Sequence, residues 1–108
     1  MKKEEIQSIA FQLISAAGEA YDCFYKALKS AKEQDYREAE KFIAEGNEKL
    51  ANAHRIQTDF LVAEARGEDI DYSVVMMHAQ DSLMTTILYE RIIVEQIDMY
   101  KRFQASQV

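Results

Sequence analysis

Apolar residues recur at steps of three and four along most of this chain, the spacing that places side chains on one face of an α-helix. In the first segment Ile6, Ala10, Leu13, Ala17, Ala20, Phe24, Leu28 and Ala31 form the stripe, and Ile9, Ile14 and Tyr21 widen it. The pattern fades at Lys32, Glu33 and Gln34. Asp35-Tyr36-Arg37-Glu38 then has the form of a capping box, with Asp35 as N-cap and Glu38 reaching back to it. A second stripe runs through Phe42, Gly46, Leu50, Ala53, Gln57 and Phe60, flanked by Ile43, Ile56 and Leu61. Gly67 suits the C′ position that ends a helix, and a short loop, 67–71, follows. Ser73 is the expected N-cap of a third helix from about Val74 to Phe103, with fraying over 104–108.

The pattern therefore predicts helices over about 3–33, 36–66 and 73–103, each roughly 45 Å long at ~1.5 Å rise per residue. Two short connections make sequential neighbours antiparallel, so the expected fold is all-α, an up-down-up three-helix bundle. Gly18 and Gly46 each cost about 1 kcal/mol relative to alanine within a helix. Gly46 lies on the apolar stripe, which implies close approach of two helices.

The third helix carries more apolar surface than one stripe holds. Val74, Met77, Leu83, Met84, Leu88, Ile92, Ile93, Ile97, Met99 and Phe103 spread over more than one face. A second apolar face implies a further partner. Copies of the same chain around a symmetry axis would cover it, and so would a helix of another protein.

Composition supports long helices: the 108 residues include no proline and only three glycines. That length holds one domain, 1–108. A net charge of -6 argues against non-specific binding to nucleic acid, whose phosphates need a basic patch, and against an anionic membrane surface. No apolar run reaches the roughly 20 residues of a membrane span, and the start, MKKEEIQS, lacks the apolar region of a secretory signal. With the single Cys23 excluding an internal disulfide framework, a cytoplasmic location is expected.

The chemistry concentrates in residues 76–85, MMHAQDSLMT. Along the helix surface Asp81 neighbours Met77, Met84, Thr85 and Leu88, an apolar strip on which a buried carboxylate needs a proton, a partner or a metal. If the strip lines an oligomer axis, copies of Asp81 converge and their oxygens favour Mg²⁺ or Ca²⁺. Pairing with Arg91 or Lys101 of a neighbour, or a solvent groove, would equally explain it. His78 lies about 60° round the helix from Asp81, with Ser82 one turn beyond on its own face. A helix histidine bonded to nearby groups is one reading. The other is a nucleophile, since a neutral imidazole can accept and release a phosphoryl group, with Gln80, Ser82 and Thr85 as donors to the phosphate oxygens. Cys23, His54 and His78 lack the spacing of a zinc site.

His78-Ala79-Gln80-Asp81-Ser82-Leu83-Met84 resembles the HAQDHLM motif of the lactose/cellobiose-type IIA components of the bacterial phosphoenolpyruvate-dependent sugar phosphotransferase system. Ala17-Gly18-Glu19-Ala20 is similar to the family's AGxA element, Ala53-His54-Arg55-Ile56-Gln57-Thr58 to its AHxxQT stretch, and the turn at Glu64–Gly67 fits as well. The resemblance implies a homotrimer of three-helix bundles with the third helices near the axis. It implies that His78 takes a phosphoryl group from HPr and passes it to a cysteine of a cognate IIB component. It further implies that Asp81 binds one divalent metal per trimer, usually Mg²⁺. Ser82 departs from the pattern, which commonly has a second histidine there; a hydroxyl still bonds phosphate oxygens but carries no positive charge. A trimeric helical adapter or divergent regulatory relative is the competing expectation. His54 is expected to be structural or to support the residues that touch the phosphoryl group, and Cys23 to be a small buried hydrophobe.

Overall fold

A computed structural model describes residues 1–106 as three antiparallel helices, α1 (Lys3–Lys32), α2 (Tyr36–Ala65) and α3 (Val74–Ala105). The expected fraying at Gln107 and Val108 lies outside the described residues. α3 continues two residues beyond Phe103 because Gln104 is held: the Tyr36 hydroxyl on α2 donates to its Oε1.

The helix ends follow from local hydrogen-bond demand. Ser73 Oγ accepts from the Met76 amide at 3.2 Å and opens α3. At the end of α2, Gly67 takes φ +85°; its amide reaches Glu64 O, and that of Glu68 reaches Ala63 O. Those two bonds make a Schellman motif. The same motif closes α1, but with Gln34 in the left-handed position at φ 65°. There the Gln34 amide bonds Ala31 O and the Asp35 amide bonds Ser30 O. The capping box expected at Asp35 is consequently half formed. Asp35 Oδ1 accepts from the Glu38 amide at 3.1 Å, but the Asp35 amide that Glu38 would reach back to is already used by Ser30.

The core is a seam at alternating steps of four and three. On α1 it comprises Ile6, Ala10, Leu13, Ala17, Ala20, Phe24, Ala27 and Ala31. Ala27 takes the place expected of Leu28, because only 27 keeps the alternation between 24 and 31; Leu28 is half-buried. This 3.5-residue period belongs to coiled-coil packing. α2 answers with Ala39, Gly46, Ala53 and Phe60, seven residues apart, and α3 with Met76, Ala79, Leu83, Thr86, Ile93 and Ile97. α1 packs along both other helices, whereas α2 and α3 touch each other far less. Gly46 permits a close crossing, since a Cβ there would sit 2.5 Å from Cε1 of the fully buried Phe24.

The bundle is a rod of 61 × 19 × 19 Å with a radius of gyration of 17.1 Å, against about 13 Å for a compact domain of this length. So thin a rod cannot cover every apolar side chain. On α3 the strip Met77, Met84, Leu88, Met99 and Phe103 is 54–66% exposed, which is the second apolar face foreseen above. Among the described residues no helix is long and apolar enough to cross a membrane.

Candidate functional site

Successive helix residues point about 100° apart, so burial of one residue sets the direction of its neighbours. Ala79 and Leu83 are fully buried against α1 and α2. That places His78 on one flank of α3, Gln80 on the other, and Asp81 on the outer strip between Met77, Met84 and Leu88.

His78 is exposed and lines an open depression of about 390 Å³ between α3 and α1. Asp81, Ser82, Thr85 and Thr86 join it from α3; Ile14, Ala17, Gly18 and Tyr21 come from α1. Thr86 Oγ1 is spent on the carbonyl of Ser82 at 2.8 Å. Ser82, one turn from His78, remains a hydroxyl on the same wall. The α1 side ends in Tyr21, whose ring stacks on Tyr89 with centroids 4.4 Å apart and planes 17° from parallel. Burial, then the neighbouring Tyr21, raise the Tyr89 phenol above its ordinary range. Tyr21, foreseen as widening the apolar stripe, is thus a half-exposed wall of this depression.

Gln80 is drawn the other way. Its Oε1 accepts from Nε2 of the buried Gln57 on α2 at 2.5 Å, and it lines a separate hollow of about 530 Å³ with Tyr72, Ser73 and Met77. Within one chain Gln80 and His78 therefore face apart, and only Asp81 borders both hollows. Among the described residues no lysine or arginine lines the depression around His78. The chain offers hydroxyls there but no cation for an anionic group.

His54 is exposed on α2. Cys23 is buried as expected. Burial first, then Glu45, push its thiol pKa upward, which keeps it protonated and unreactive. Among the described residues no cluster of three His, Cys, Asp or Glu could hold a metal within one chain. Asp81 alone is a single hard ligand, and it would suit a divalent cation only where other copies bring further carboxylates. Thr86 was not singled out from the residue pattern, and Gly18 was singled out only as a costly glycine and part of the AGxA element, not as a neighbour of His78. The available signal for Gly18 was a glycine placed mid-helix without a turn.

Residues 8–101 match the family model described as PTS system, lactose/cellobiose-specific IIA subunit. The lactose-specific EIIA component of Staphylococcus aureus is 46% identical over 102 residues, spanning 94% of this chain and 99% of that protein. The corresponding protein of Lactococcus lactis is 42% identical, spanning 94% and 97%. Among solved structures, the cellobiose-specific enzyme IIA of Bacillus anthracis matches with a TM-score of 0.90 at 37% identity, over 97% of this chain and 94% of that one. The IIA(chitobiose) protein of Escherichia coli, determined in solution in complex with HPr, matches with a TM-score of 0.81 at 29% identity, over 96% and 99%.

Proposed function

Because the chain belongs to the lactose/cellobiose-specific IIA family of the phosphotransferase system, we propose that it carries a phosphoryl group for sugar uptake on His78. The supporting observation is geometric: His78 is an exposed imidazole lining a depression to which Ser82 and Thr85 also contribute. A lone pair of its ring nitrogen forms the new N–P bond as the bond from phosphorus to the donor's histidine breaks, and that electron pair returns to the donor ring. In the second transfer a cysteine thiolate of the IIB component forms an S–P bond while the N–P bond to His78 breaks. Neither step needs a substrate pocket for sugar; a lactose- or cellobiose-like β-glycoside is phosphorylated further along. What the chain contributes is alignment of nucleophile and phosphorus, together with hydrogen bonds from Ser82 and Thr85 to the equatorial oxygens. Positive charge comes from the partner, since the depression has no cation of its own. HPr is the donor in this reading, and a relative of this chain was solved bound to it.

The exposed strip of α3 supports a homotrimer closed about that strip. In such an assembly one flank of each α3 turns toward the opposite flank of the next, which would bring Gln80 toward a neighbour's His78. Three copies of Asp81 would meet at the axis. A divalent ion, Mg²⁺ by ligand hardness, would there offset the repulsion of the carboxylates.

Incubation with phosphoenolpyruvate, enzyme I and HPr, read by intact mass, tests the relay. One acid-labile phosphoryl group per chain is expected, and none in His78→Gln. Absence of label on the parent chain beside a competent HPr overturns the proposal and leaves the helical adapter.

A further inference from the structure

The two interior glycines of the long helices have different explanations. Gly46 is accounted for by Phe24, which leaves no room for a Cβ. Gly18 is not. A Cβ built on it meets nothing within 4 Å, and its backbone is not in the left-handed region. It sits in the middle of α1, where glycine destabilises a helix by roughly 1 kcal/mol relative to alanine. The fold of the chain has no use for a glycine at this point.

Gly18 does, however, line the depression that holds His78, on the wall opposite Ser82 and Thr85. Without a side chain there, α1 presents bare backbone to the depression at this one point of its wall. Transfer between two protein side chains brings the reacting atoms to about 3–3.5 Å, so the donor's body must settle close around its own histidine. A side chain at position 18 would add bulk to this wall where that body settles.

We propose that Gly18 is a seating residue for the phosphoryl donor, kept side-chain-free so that the backbone of an HPr-type protein can close over His78. The occupant is inferred from the relay assigned above, on which this inference rests, and from the HPr complex of a protein with the same fold. Gly18 takes no part in bond making; it sets how near the donor comes.

The experiment compares Gly18→Ala and Gly18→Leu with the parent. Each is phosphorylated either by phospho-HPr or by phosphoramidate, a donor too small to touch α1. Both variants are expected to fold, and Gly18→Ala to melt a few degrees higher. The rate from phospho-HPr relative to that from phosphoramidate should fall modestly in Gly18→Ala and by about tenfold or more in Gly18→Leu, mainly through KM for HPr, as for a close interface position. Equal loss with both donors would mean that Gly18 acts on His78 itself. A changed assembly by sedimentation would mean that it serves contacts between copies, and an unchanged ratio that the wall is not used. Each of these overturns the inference. A parent chain that phospho-HPr cannot label would instead overturn the relay.

Discussion

Gln57 and Gln80 join α2 to α3 through a 2.5 Å hydrogen bond, one of the few links between two helices that otherwise meet mainly through α1. Gln57 occupies a buried seam position, so its amide would be costly there without a partner. In a double-mutant cycle with Gln57→Ala and Gln80→Ala, the coupling is expected to be about 1 kcal/mol, read by urea denaturation. A coupling near zero would mean that water satisfies both amides in solution.

Gly46→Ala sets helix propensity against packing. Alanine gains about 1 kcal/mol of helix propensity, but its methyl group meets the ring of the fully buried Phe24, which must shift within the core. Overpacking of this kind costs about 1–3 kcal/mol, so a net loss of stability is expected. Phe24→Leu in the same chain should recover part of the loss. A Gly46→Ala chain more stable than the parent would refute the close crossing.

Gln34 holds a left-handed conformation that glycine adopts without strain. Gln34→Gly should stabilise the chain by about 0.5–1 kcal/mol, a rise in melting temperature of a few degrees. The Schellman bonds to Ala31 and Ser30 would persist. A destabilised variant would show that the side chain of Gln34 outweighs its backbone strain.

Cys23 provides a pH dependence. Its thiol pKa is raised in the folded chain by burial and then by Glu45, so the folded state holds the proton more tightly than the unfolded one. Below the unfolded thiol pKa, about 8.5, this preference is satisfied in full. As pH rises past that value and through the higher folded pKa, stability is lost. Relative to Cys23→Ala, which does not titrate, the parent should therefore lose stability as pH climbs above about 8.5. A stability difference independent of pH would contradict the buried, protonated thiol.

Asp81 tests the shared metal. The parent is expected to carry one divalent ion per three chains by elemental analysis, and to melt lower after chelation. Asp81→Leu should contain no ion, ignore the chelator, and still assemble through Met77, Met84 and Leu88. Metal retained in Asp81→Leu would remove Asp81 from the ligand set.

Much of this was legible in the residue order. Helix number and limits, the Ser73 cap, the Gly67 stop and the close approach at Gly46 all depend on neighbours within a few positions or on a stripe that one helix carries by itself. The His78–Asp81 pair could also be read, because a four-residue span on a helix fixes relative direction. Less legible were the features set by competition. Gln34 entered the left-handed region without being glycine because two hydrogen bonds of the helix end required it. Tyr21 left the apolar stripe for a stack on Tyr89, a residue 68 positions away.

The sequence by itself determined three amphipathic helices, a surplus apolar face on the third, and a histidine and aspartate set on different sides of it. Only the tertiary structure decided which flank of α3 meets α1 and which meets α2, because that requires three seams to interlock at once. From that choice follow the pairing of Gln80 with Gln57, the facing of His78 and Ser82 toward α1, and the opposite meanings of two glycines. One is held against Phe24, and the other lies open beside the imidazole.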